Sequence, residues 1–168
     1  MTRAVDIEGR GVRVNGRSVE VGSAIPDATI TRPTDTNTSG DVTSYEGEIL
    51  TPDKSLVKVE AEVSANTTGI DKLAIYASDG TLLAEDTTVS TGGDVAVLDG
   101  LSLSSGTDYY IMGYNGGNVW NFGFEANNHP YTSSAGDLTT AVTTIAIDGT
   151  WDTSVGAVRV INNVDLYS

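Results

Sequence analysis

The sequence predicts an all-β protein, an antiparallel β-sandwich or jelly roll preceded by an N-terminal arm, and three observations carry that reading. Its 168 residues include 22 Thr, 18 Val, 15 Ser and 19 Gly but only four Pro, a composition that favours short, half-buried strands joined by turns. Turn signals recur at roughly eight- to twelve-residue spacing, as in sandwiches. No helical period persists beyond roughly ten residues. A chain of this length fits one domain with a small appendage and can bury a substantial core.

The first element is a hairpin. Val12-Arg13-Val14 and Arg17 to Val21 flank Asn15-Gly16, the strongest short-range hairpin signal because both residues tolerate positive φ. A two-residue turn sets Val14 opposite Arg17 and Val12 opposite Val19, so Val12, Val14, Val19 and Val21 share a face that something must cover. This arm is assigned residues 1–32, a polar, turn-rich loop 33–48, and the sandwich 49–168. Leu56 to Val63 alternates, with Val57, Val59, Ala61 and Val63 on one face and Lys58, Glu60 and Glu62 on the other, as a half-buried strand does. Lys72 to Ala77 and Thr81 to Ala84 flank the turn Ser78-Asp79-Gly80. Val95 to Leu98 and Leu101 to Leu103 flank Asp99-Gly100. Asp108 to Tyr114 and Val119 to Phe124 are aromatic strands around Asn115-Gly116-Gly117-Asn118. Thr139 to Ile147, Ala157 to Ile161 and Val164 to Tyr167 complete the set.

Charge divides the chain. Overall it carries −14, with 23 Asp and Glu against 9 Lys and Arg. Residues 1–32 hold Arg3, Arg10, Arg13, Arg17 and Arg32 against four acids, net +1, whereas residues 33–168 hold four bases against nineteen acids, net −15. Such a body opposes nucleic acid, whose phosphates need clustered Lys and Arg. It also repels itself in dilute salt, a trade that halophilic proteins make because molar salt screens over roughly 3 Å. The arginines of the arm, Arg3, Arg10, Arg13 and Arg17, suit docking on an acidic neighbour.

Cysteine is absent and His129 is the single histidine, which excludes disulfides, thiolate metal sites and any site needing two imidazoles. The N-terminus MTRAVDIEGRGVRVNG lacks an apolar run of signal-peptide length, and no later stretch approaches a membrane span. Synthesis in the cytoplasm without membrane insertion is the expectation.

Two candidate sites emerge. Asp35, Asn37, Ser39, Asp41, Thr43 and Glu46, with Gly40 at the sharp turn, have the spacing of a twelve-residue calcium loop, although Arg32-Pro33 and Gly47 replace the helices of an EF-hand. Calcium is the one candidate cofactor, and none is required. Seven of the eleven aromatic residues fall between Tyr109 and Tyr131. Period two puts Trp120, Phe122 and Phe124 on one face of their strand, and Tyr110, Met112 and Tyr114 on one face of theirs. Tyr110, Tyr114, Trp120, His129, Tyr131 and Trp151 are candidates for stacking on a sugar, with Asn115, Asn118, Asn127 and Asn128 nearby for its hydroxyls. No feature selects a glycosidase carboxylate pair, a nucleophile elbow or a phosphate loop, so catalysis is not expected.

The stretch Ile49 to Ser168 resembles β-sandwich modules of tailed-virus fibres, spikes and adhesins, and some carbohydrate-binding jelly rolls. It does so through Asp79-Gly80-Thr81-Leu82-Leu83-Ala84, Leu98 to Leu103 followed by Ser105-Gly106-Thr107-Asp108-Tyr109-Tyr110-Ile111, and Val160 to Leu166. With the acidic composition, the chain resembles a structural protein of a haloarchaeal tailed virus. The resemblance implies a non-enzymatic protein of the virion surface, such as a tail fibre, spike, turret or capsid decoration with a part in host attachment. Its partners would be copies of itself, other virion proteins, and a host surface glycan or S-layer protein. A carbohydrate-binding module is the alternative that it implies.

Overall fold

The computed structural model describes residues 5–8, 11–14, 17–19, 24–33, 37–38, 42–116, 119–124, 129–154 and 158–168. Among these residues all regular structure is strand. The first half of the chain forms β1 (Val5–Glu8), β2 (Gly11–Val14), β3 (Arg17–Val19), β4 (Ala28–Ile30), β5 (Asn37–Thr38), β6 (Tyr45–Pro52), β7 (Lys58–Val63) and β8 (Lys72–Tyr76). The second half forms β9 (Leu82–Asp86), β10 (Val95–Leu98), β11 (Tyr109–Tyr114), β12 (Gly123–Phe124), β13 (Tyr131–Thr132), β14 (Gly136–Thr144), β15 (Val158–Arg159) and β16 (Ile161–Tyr167).

Two antiparallel sheets make a β-sandwich, one of four strands in the order β10-β7-β16-β4 and one of six in the order β13-β14-β6-β11-β8-β9. Their inner faces supply one core. Ile30, Val59, Ala61, Val63, Ala96, Leu98, Val164 and Leu166 come from the first sheet, and Leu50, Leu73, Ile75, Ile111, Leu138 and Ala141 from the second. The alternation of β7 produces this directly, since Val59, Ala61 and Val63 are buried while Lys58, Glu60 and Glu62 lie on the outer face. The phase fails one step earlier. Val57, expected inside, is 50% exposed and Leu56 is buried, because Leu56 forms an isolated bridge with Leu103 ahead of the strand. Leu101 to Leu103, which the sequence reads as a strand, pairs only through that bridge and the Leu101 N–H, which donates to the Val57 carbonyl at 2.8 Å.

The outer face of the six-stranded sheet carries a second apolar cluster of Ile49, Ala74, Tyr76, Tyr110, Met112 and Val142. It is roofed by a strap that follows β14. Ile147 and Trp151 pack on the cluster, Trp151 stacks on Tyr110 with ring centroids 4.1 Å apart, and its indole N–H donates to the Ser78 carbonyl at 2.8 Å. The strap is held at a second point, where a Cβ on Gly80 would lie 3.0 Å from the backbone N of Gly149. Both glycines have positive φ, 86° and 84°, so two tight turns nest without side chains between them. Residues 145–147, read from sequence as the end of a strand, belong to this strap.

At the far end of the sandwich β15, β12 and β5 form a three-stranded sheet. The sheets do not follow the division at residues 32 and 48. β4 pairs with β16, Ile30 opposite Val164, and β6 starts at Tyr45. The N-terminal strands form a sheet of their own, β1-β2-β3, in which Val12 lies opposite Val19 and Val14 opposite Arg17. The Asn15-Gly16 turn itself lies outside the described residues.

Candidate functional site

Of the calcium candidates, Asp35, Ser39 and Asp41 lie outside the described residues. Asn37 stands in β5 opposite Phe124, and Thr43 is exposed. Glu46 is buried in β6, where its Oε1 accepts from Ser44 Oγ at 2.5 Å and from Thr143 Oγ1 at 2.8 Å. Burial pushes its carboxyl above the usual range against these two hydrogen bonds. As placed, Glu46 is turned into the fold, and a role as the bidentate closing ligand would require it to leave these partners. Among the described residues no group of three or more acids or histidines is set to hold a metal.

The six sugar-stacking candidates fall in four places. Trp120 is 1% exposed and belongs to the core with Phe122. Its indole N–H donates to the Ser44 carbonyl at 3.0 Å, and it offers no ring face to a ligand, which corrects the expectation for this residue. Tyr110 and Trp151 cover each other under the strap. Tyr114 stacks in parallel on Tyr45 at 3.9 Å and lines a shallow depression with Asp71, Lys72, Glu85 and Thr87. His129 and Tyr131 meet edge to face at 5.2 Å, with the Arg32 guanidinium 4.7 Å from the centre of the Tyr131 ring. No single platform unites them. Tyr45, the partner that pairs with Tyr114, sits in the segment read from sequence as loop.

That segment also conceals the principal buried charge. Glu48, on the inward face of β6, meets Arg32 at 2.5 Å, and both side chains are wholly buried. Arg32 also donates to the Ile161 carbonyl at 3.1 Å, while Glu48 Oε1 lies 3.3 Å from the Val160 N–H. Arg159 is buried too and donates to the Asn162 side chain. With Arg159 inside, Lys54, Lys58 and Lys72 are the only bases that residues 33–168 present outward.

Among the described residues no strap covers the outer face of the four-stranded sheet. Register places Val97 opposite Glu60, Glu60 opposite Asp165 and Asp165 opposite Thr29, one row across all four strands, with Val95 opposite Glu62 beside it. Glu60 is held below the usual carboxylate range chiefly by Lys58, whose Nζ is 2.7 Å away. Tyr167 O–H donates to the other Glu60 oxygen at 2.8 Å. Asp165 accepts from the Thr29 hydroxyl, and Glu62 from the Asn162 and Asn163 amides at 3.2 and 2.5 Å.

Fold and surface together define the class: a two-sheet antiparallel β-sandwich, acidic outside, with a separate N-terminal sheet. No protein-family model, curated protein or solved structure matches the chain.

Proposed function

We propose that the chain is a non-enzymatic surface protein of a virus particle, in which the N-terminal sheet docks the molecule into the assembly and the acidic sandwich faces outward as a fibre, spike, turret or decoration domain. The observation that carries this reading is the separation of charge along the chain together with the separation of sheets. Of the arm's arginines, Arg13 and Arg17 stand in β2 and β3 while Arg3 and Arg10 lie outside the described residues, and among the described strands β1, β2 and β3 pair only with one another. The sandwich meanwhile withdraws Arg32 and Arg159 into its interior and leaves a surface dominated by carboxylates. The virion setting rests on the resemblance of Ile49 to Ser168 to fibre and spike modules, and the partners are copies of this chain, neighbouring virion proteins and a host surface glycan or S-layer protein.

Removal of residues 1–22 tests the reading. The expected result is loss of particle incorporation and a fall in mass by light scattering, with the β-rich circular dichroism spectrum kept. Unchanged mass and normal incorporation would refute it.

A further inference from the structure

We infer that the open outer face of the four-stranded sheet is the seat of the N-terminal sheet of a second copy of this chain. The inference rests on the docking role proposed above for the arm and names the surface that receives it.

The two outer faces of the sandwich differ in a way that calls for a partner on one of them. The face of the six-stranded sheet is roofed by the chain's own strap, with Trp151 and Ile147 covering its apolar cluster. The face of the four-stranded sheet keeps Val95 and Val97 at 50% and 45% exposure, on an edge strand. Beside them stand Glu60, Glu62 and Asp165, with Lys58 the one base of that face. Like charges directly opposite on neighbouring strands oppose each other, and Glu60 and Asp165 are such a pair. Lys58 answers Glu60. Asp165 and Glu62 are met by a hydroxyl and by amides, which satisfy hydrogen bonding without cancelling charge. The face therefore combines exposed valines with uncompensated negative charge.

The arm has the complementary pattern. Val5 lies opposite Val14 and Ile7 opposite Val12, while Val14 lies opposite Arg17 and Val12 opposite Val19. Directly opposed residues share a face, so Val5, Ile7, Val12, Val14 and Val19 lie on one face with Arg17, and Arg13 lies on the other. Valines seat on valines, and arginine is the side chain best shaped for carboxylate recognition.

The root of the arm favours a neighbour over the same chain. Asp27 is tied to the sandwich by its N–H to the Leu166 carbonyl at 2.8 Å and by Lys54 at 3.4 Å. Just before it Ile25 is 90% exposed and Ala24 is exposed as well. A chain turning back across its own sheet would lay this root against the sandwich, whereas here Ala24 and Ile25 are both open to solvent. Exchange of arms between copies gives a closed dimer if reciprocal, and a ring or fibre if head to tail.

The test uses the full chain and two charge reversals, Arg17→Glu in the arm, and Glu62→Lys with Asp165→Lys on the face. Light scattering should show wild type as an oligomer and each reversal as weakened at least tenfold in association, with the two reversals combined restoring it. Because the protein has no cysteine, Val19→Cys in one sample and Val97→Cys in another provide a second measurement that needs no charged variant to fold. Mixed and oxidised, they should give a disulfide-linked species of twice the chain mass. An arm reversal that dissociates the oligomer beside a face reversal that leaves it intact would overturn the seat and leave the docking role standing. A disulfide within single chains carrying both cysteines, and none between chains, would overturn the second copy. A monomeric wild type, or an arm reversal with unchanged mass, would overturn the docking role and this inference with it.

Discussion

Replacing Arg32 by methionine should be among the most costly single changes available to this protein. Both members of the Arg32–Glu48 pair are wholly buried at 2.5 Å separation, so salt screens them little. Removing the guanidinium takes from a wholly buried carboxylate its ion-pair partner at 2.5 Å, which costs about 3–5 kcal/mol. It also removes a donor to the Ile161 carbonyl and the contact with Tyr131. For a chain of this size about 4 kcal/mol corresponds to a fall in Tm of roughly 8–16 °C. Glu48→Leu alone should cost a similar amount by taking the paired carboxylate from buried Arg32 and withdrawing an acceptor from the Val160 N–H. The double variant should recover most of this, settling within about 2 kcal/mol of wild type, since an apolar pair of similar volume often replaces a buried ion pair without loss. The assay is urea unfolding of the four proteins in one salt, followed by tryptophan fluorescence, from which the coupling energy is read. Additive single losses, with coupling below about 0.5 kcal/mol, would refute the argument that the two charges act as a unit.

Three further outcomes follow from particular positions. A Cβ at Gly47 would lie 1.9 Å from the Ile111 carbonyl oxygen in the central strands of the six-stranded sheet, so Gly47→Ala should cost about 3 kcal/mol or more by chemical denaturation. Gly93→Ala, where φ is +89° and the space is open, should cost only about 1–2 kcal/mol of left-handed strain, and equal losses at the two sites would remove the steric account. Asp79, Asp94 and Asp152 are held below the ordinary range by N–H and hydroxyl donors, Thr81, Ser90 with Thr91, and Ser154 respectively. Their contribution is therefore complete above the unfolded Asp value of about 3.9 and is lost as pH falls through their lower folded values. Glu46 runs the other way. Its folded value is raised by burial, so its contribution is complete below about 4.3 and is lost as pH rises through that raised value. Glu46→Gln, which keeps an acceptor for Ser44 and Thr143, should flatten this alkaline-side decline in Tm and leave stability at pH 7 equal or higher. A loss above about 1 kcal/mol at pH 7 would mean that the ionised carboxylate is favoured where it stands.

The fold was legible where one face of a strand meets solvent. β7 announces itself by strict alternation, Gly80 marks its hairpin, and Asn15-Gly16 sets the register of β2 with β3. The strand at the centre of the larger sheet was not legible. β6 reads Tyr-Glu-Gly-Glu-Ile-Leu-Thr-Pro, and its inward face carries Glu46 and Glu48 where an apolar pattern was sought. The partners that make those acids tolerable, Arg32 and Thr143, come from distant parts of the chain. One signal was present: Arg159 stands between Val158 and Val160 in a body otherwise supplied with lysine, a context that suits a buried base. β4 escaped notice because three residues before Arg32-Pro33 are too short to show a period, and Tyr45 because its partner Tyr114 is 69 positions away.

The place of β16 in the four-stranded sheet bears on how the protein is made. This strand ends at Tyr167, yet it lies between β7 and β4 and contributes Ile161, Val164 and Leu166 to the core. During synthesis β4 and β7 emerge early and have no strand between them until more than ninety further residues have followed. The sheet closes only when β16 slides into place, so the nascent chain must carry open edges and uncovered valines until that strand has emerged. Loss of residues 161–168 would delete an interior strand and leave the sandwich unable to close.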